Sequence, residues 1–209
     1  MSELRTQKPY SLTFTAASLR PELARIVAEI YLENGDWKQT RKKVISDNAL
    51  QARSQSSAAR MEIEFRHRLQ TLSPRQIEIL ATAPADSRLS IAWLSVLKHS
   101  AFVFDFTEEV LRSKLENHDA VLRHSDYENF FNTKSVLHPE LVALQPATQS
   151  KIHSGLKTMF REVGIMGQSL KDNSLRRPLL TPEVQAAILA DNRRWLAGFL
   201  VPDNEIATL

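Results

Sequence analysis

Between residues 36 and 75 the sequence places nine bases, Lys38, Arg41, Lys42, Lys43, Arg53, Arg60, Arg66, Arg68 and Arg75, against four acids, Asp36, Asp47, Glu62 and Glu64. This +5 segment exceeds the net charge of the whole chain, which is +3. A dense cationic field attracts polyanions, and nucleic acid is the commonest such partner for a basic protein surface. Within the segment lies Arg53-Ser54-Gln55-Ser56-Ser57, followed by Arg60. Hydroxyl and amide side chains flanked by guanidiniums bond phosphates and base edges, and the free amides of a helix start add to the attraction for phosphate. The plainer alternative is that Ser54 caps a helix and the bases form a solvated face.

A second candidate set is Lys151, His153, Lys157 and Arg161, with Lys151 and Lys157 as its expected phosphate contacts. Its alternative is an ordinary amphipathic helix burying Ile152, Leu156, Met159 and Phe160. The six histidines form no HExxH pair; His118-Asp119 with His124 and Asp126 has metal-ligand residue types but no spacing that sets a geometry. Asp105, Glu108 and Glu109 read as carboxylates complementing a helix start. No GxxxxGK[ST], GxGxxG or GxSxG occurs, and no cysteine, so nucleotide hydrolysis, dinucleotide redox chemistry, the serine-hydrolase elbow and thiolate metal sites all lack their motifs. No catalytic residue, metal or cofactor is expected.

These side chains need elements to hold them. Five Gly in 209 residues, few alternating β-branched runs and abundant Leu, Ala, Glu and Arg predict an all-α chain. Leu23, Ile26, Val27, Ile30 and Tyr31 make one stripe of a first helix, which Asn34-Gly35 closes. Asp36 then caps a second helix to about Asp47, with Trp37, Val44 and Ile45 inward and Lys38, Lys42 and Lys43 toward solvent. After a connection over Asn48 to Arg53, a third helix from Ser54 to Leu72 buries Ala58, Met61, Phe65, Leu69 and Leu72, with Arg60, Glu64 and His67 on the other side. A short helix followed by a longer one with a small polar start is what a helix-turn-helix asks for, here over residues 36–72. Ser73-Pro74 starts a fourth helix.

The run from Leu89 to Phe104 is the most apolar, but Lys98 and His99 interrupt it. It reads as buried helix, since a membrane span needs about 20 apolar residues. Further helices are expected from Ser125-Asp126, over Thr148 to Glu162, from Thr181-Pro182, and from Trp195 to Val201. A small β-hairpin near residues 165–178 would serve as a wing beside the Thr148 helix. Two small domains are expected, 1–120 and 121–209. The N-terminal MSELRTQKPYSLTFT has no apolar leader core, so a cytoplasmic location is expected.

The run from Tyr10 to Leu80 resembles the N-terminal half of the BrxA family, small accessory proteins of the BREX bacterial phage-defence systems. Tyr10-Ser11-Leu12-Thr13-Phe14-Thr15, Asp36-Trp37, Asp47-Asn48, Leu50-Gln51-Ala52-Arg53, Ser56-Ser57-Ala58 and Arg60 carry the resemblance. Trp93-Leu94, Asp105-Phe106, Val110-Leu111, Phe130-Phe131-Asn132, His138-Pro139-Glu140 and Phe160-Arg161-Glu162 extend it over nearly the whole chain. The resemblance implies an all-helical protein that binds double-stranded DNA, similar in part to the antitermination factor NusB, with helix-turn-helix-like elements and no known catalytic activity. Other BREX components are implied partners. Members have also been labelled inner-membrane proteins, for which this sequence offers no long apolar segment. The Arg53 to Arg60 stretch matches the family pattern, whereas the bases of the Thr148 helix come from residue types alone.

Together these readings predict a cytoplasmic, non-catalytic binder of double-stranded DNA. It would engage phosphates through Lys38, Arg41, Lys42, Lys43, Arg53 and Arg60, with Ser54, Gln55, Ser56 and Ser57 toward the groove. A protein–protein scaffold of the defence complex, or an RNA binder of NusB type, would share this charge footprint.

Overall fold

Helix α1 (Pro21–Asn34) ends where Gly35 takes φ 66°, a left-handed conformation that costs glycine little, and the Gly35 amide closes onto the Tyr31 carbonyl at 2.7 Å. The Asp36 carboxylate then accepts the Gln39 amide at 2.8 Å and starts α2 (Trp37–Ser46). Helix α3 (Gln55–Leu69) follows, and Ser73 and Gln76 exchange side-chain and backbone hydrogen bonds as a capping box for α4 (Pro74–Thr82). The computed structural model describes residues 9–16 and 18–209, so part of the stretch read for a leader, residues 1–8, lies outside the described residues.

Helix α5 (Ala85–His99) is the hub. Every residue from Ser90 to Leu97 is buried, as expected of a helix surrounded by others. It packs on α1, α3 and α4 on one side and on α11 (Pro182–Leu189) and a 3₁₀ turn (Arg193–Phe199) on the other. The Trp93 indole donates to the Gly198 carbonyl at 2.9 Å. At Ser100 the chain turns sharply into α6 (Ala101–Phe106), and α5 meets the helical run Ala101–Glu116 at 108°. Among the described residues no single helix is long and apolar enough to cross a membrane.

Five local expectations are corrected. Thr107–Arg112 is a π-helical turn that carries α6 on into α7 (Ser113–Glu116), so Asp105, Glu108 and Glu109 lie within a continuous helical run rather than at a helix start. Helix α8 (His124–Ser135) is capped by the Asp126 carboxylate accepting the Arg123 amide at 2.7 Å, so Ser125 is not the cap. After α9 (Pro139–Val142), α10 (Pro146–Glu162) begins two residues before Thr148 because proline fits the first helical turn. The residues around Trp195 form the 3₁₀ turn, and a final helix α12 (Asp203–Thr208) lies beyond it. The hairpin expected at 165–178 reduces to isolated bridges, Met166 with Leu175 and Val121 with Ser174, with no strand formed.

One buried cluster runs from Tyr10 to Ile206 and crosses residue 120. The described residues before α1, which include a 3₁₀ turn at Thr13–Ala16, stitch its halves together. The Tyr10 hydroxyl donates to Asp105 at 2.6 Å, the Tyr10 amide to Glu140 at 2.7 Å and the Leu19 amide to Glu162 at 3.0 Å. From α3, the buried Arg68 guanidinium donates to the Ser18 and Phe14 carbonyls while pairing with Glu64 at 2.7 Å.

Candidate nucleic-acid interface

Helices α2 and α3 meet at an eight-residue connection, Asp47 to Ser54. Asn48 and Gln51 take positive φ there, 45° and 49°. The Asn48 side chain spans the loop, accepting the Ala52 amide at 3.1 Å and donating to the Ala52 carbonyl at 3.3 Å. Leu50 is buried and pins the loop to the core. Local polar bonding and one apolar anchor thus set the start of α3 beside α2.

Between the two helices lies an open groove of about 710 Å³, lined by Lys38, Arg41, Lys42, Ile45, Ser46, Gln55, Ser56 and Ala59. Lys38, Arg41 and Lys42 form its α2 wall, and Gln55 and Ser56 open the first turn of α3 on the other. Helical spacing explains the set, since 38 and 42, 41 and 45, 42 and 46, and 55 and 59 are each one turn apart. Ser46 and Ala59 are the lining residues that sequence reasoning did not single out. Ile45 had been placed inward; it is half-buried and floors the groove.

The six bases expected to meet phosphate do not stand alike. Among the described residues Lys38, Lys42, Arg53 and Arg60 are exposed with no ion pair. Arg41, also exposed, lies 3.7 Å from the buried Glu62 carboxylate. Lys43 turns the other way and pairs with Glu33 of α1 at 2.7 Å, which raises its pKa. The serines divide too: the Ser54 hydroxyl accepts the Ser57 amide at 3.2 Å as an N-cap and also bonds the Ser56 hydroxyl, and Ser57 is half-buried. Glu64, expected on the exposed side of α3, is buried because Arg68 reaches it one turn on. Glu62 and Glu64 therefore sit beneath the surface in pairs with Arg66 and Arg68, and the outward field comes from the bases left over.

The second candidate set is scattered. Lys151 is exposed and lines a shallow depression of about 480 Å³ with Ser150, Ser154 and Gly155. Lys157 is half-buried, and its pKa is lowered by burial and then by Arg161. Arg161 donates to the Ser169 and Leu170 carbonyls, holding the loop after α10. His153 stacks on Tyr127 at 4.4 Å, and burial foremost, then the neighbouring His124, lowers its pKa to about 4. Asp119, one of the residue types weighed for a metal, is held by Arg123 and Lys114, each at 2.6 Å, which lower its pKa to about 2. Lys114 also pairs with Asp126 at 2.9 Å.

The sequence matches the model of the BrxA family over residues 8–192. The BREX protein BrxA of Escherichia coli O9:H4 (strain HS) is 25% identical over 187 residues, covering 90% of this chain and 87% of that protein. Its namesake in Paramagnetospirillum magneticum (strain ATCC 700264 / AMB-1) is 23% identical, covering 90% and 94%. The crystal structure of an uncharacterized protein from Magnetospirillum magneticum superposes with a TM-score of 0.80 at 21% identity, over 92% of this chain and 98% of that one, and so shares the fold. With the family pattern running through the α2–α3 pair and on to Asn192, this chain belongs to the BrxA family of BREX phage-defence proteins.

Proposed function

We propose that this protein binds double-stranded DNA, without catalysis, as a cytoplasmic component of a BREX system, and that the α2–α3 face is its contact surface. What carries the reading is the groove between α2 and α3, lined by Lys38, Arg41 and Lys42 from α2 and by Gln55 and Ser56 from the first turn of α3; Arg53 and Arg60 are exposed but do not line it. Exposed bases beside a helix start, of which Lys38 and Lys42 have no ion pair among the described residues, form a surface for phosphate oxygens. The eight-residue connection is longer than the tight turn of the simplest helix-turn-helix, so the pair is helix-turn-helix-like in order rather than in turn length. Phosphate contacts dominate this surface, and sequence preference is correspondingly weak.

The test is fluorescence anisotropy with labelled duplex DNA, duplex RNA of matched sequence and single-stranded DNA. With about five phosphates engaged, affinity for duplex DNA should fall about five-hundredfold between about 50 and 200 mM salt. Lys42→Glu with Arg53→Glu should abolish binding at either salt, whereas Lys43→Ala should leave the salt slope unchanged, because Lys43 is already paired with Glu33. Duplex binding that survives the double substitution refutes the α2–α3 surface, and preference for duplex RNA favours the NusB-like alternative. The scaffold alternative has its own observation, since Val136, Leu137 and Val142 around α9 are 82%, 54% and 69% exposed. An apolar contact there would be far less sensitive to salt.

A further inference from the structure

Arg41 has a buried carboxylate beneath it. The Glu62 side chain is only 1% exposed; its Oε1 accepts the Arg66 Nε–H at 2.7 Å, while its Oε2 is buried with no hydrogen bond and lies 3.7 Å from Arg41 Nε. A buried carboxylate is costly unless cations compensate it, so Glu62 draws the Nε edge of Arg41 toward the flank of α3. The guanidinium is planar and rigid, so a carboxylate that attracts its Nε edge across 3.7 Å, without a hydrogen bond, biases where the two terminal amino groups point. Those groups have no partner among the described residues, and the Arg41 side chain is 57% exposed on the groove wall. Lys38 and Lys42, one on each side of Arg41 along α2, have no such anchor.

We propose that Glu62 is a positioning residue: it presets the Arg41 fork over the α2–α3 groove to receive two oxygens of one DNA phosphate. This rests on the duplex-binding reading above. A free arginine must lose rotamer freedom when it grips a phosphate, and one already anchored has lost much of it beforehand. The bidentate fork, rather than the charge, is what the anchor supplies.

A double-mutant cycle on the full chain, read by anisotropy against labelled duplex DNA, tests this. Glu62→Gln preserves shape and removes the charge. It should weaken binding by about three- to tenfold when Arg41 is present, the ordering cost of one long side chain, and by less than about twofold in an Arg41→Gln background. An equal factor in both backgrounds, or tighter binding with Arg41 present, overturns the proposal, because Glu62 would then act only as a charge. Should Glu62→Gln fail to fold, Arg41→Lys decides: it keeps the charge without the fork and should bind nearly as weakly as Arg41→Gln, and binding like the unsubstituted chain overturns the proposal. If the unsubstituted chain ignores duplex DNA at about 50 mM salt, the DNA reading falls and this inference with it; if it binds and the cycle shows no coupling, this inference alone falls.

Discussion

His153 shows how far a single residue's chemistry depends on what packs around it. Its ring stacks on Tyr127 and lies 5.0 Å from His124, and a proton there must share low-dielectric surroundings with a second imidazole and Lys157. The folded pKa of about 4 lies below the ordinary value of about 6.5 in the unfolded chain. The unfolded state therefore takes up its proton first as pH falls. The contribution of His153 to stability is fully present above about pH 6.5, declines between about 6.5 and 4, and levels off below that. Urea midpoints measured across this window should fall for the unsubstituted chain and fall less for His153→Gln. An identical decline in both would mean that other groups titrate there. The same residue read from sequence alone was a possible surface base beside Lys151 and Lys157, because type and helical position carry no information about a stacking partner 26 residues away.

At the scale of elements, the start of α3 separates a structural role from a binding one. Ser54 spends its hydroxyl on the Ser57 amide and the Ser56 hydroxyl, so it is committed to the cap. Gln55, one residue on, lines the groove. Ser54→Ala should cost about 1 kcal/mol of stability with little change in duplex affinity, and Gln55→Ala should do the reverse, as seen by chemical denaturation and anisotropy in parallel. A loss of affinity in Ser54→Ala at full helicity would return Ser54 to the contact surface. Helix starts of this kind were legible beforehand: Gly35-Asp36, Ser54, Ser73-Pro74 and Thr181-Pro182 all mark the boundaries found, because a cap acts within four residues of itself. The π-helical turn at Thr107–Arg112 was not legible. It lies where Arg112 reaches Asp203 at 2.6 Å, a contact 91 residues apart.

The whole molecule is tied by contacts that ignore the expected division at residue 120. Tyr10 and Leu19 bond Glu140 and Glu162, Gln76 donates to the Ala187 carbonyl at 3.0 Å, and Trp93 donates to Gly198. With the core continuous through these ties, unfolding followed by tryptophan fluorescence and by far-ultraviolet circular dichroism should give coincident transitions. Two separated transitions would instead establish independent units on either side of residue 120.

Helix order, caps, buried stripes and the basic character of residues 36–75 were set by the sequence itself, since each depends on neighbours within a turn or two or on simple composition. The family resemblance was legible for a related reason, being written in residues spread along the whole chain. Which bases remain free was decided only in three dimensions. Lys43 finds its acid on α1, Arg41 finds Glu62 on α3, and Arg68 disappears into the core with Glu64, while Lys38, Lys42, Arg53 and Arg60 are exposed with no ion pair among the described residues. Coulomb attraction acts on separation in space, and separation between helices is fixed by packing, which no local pattern specifies.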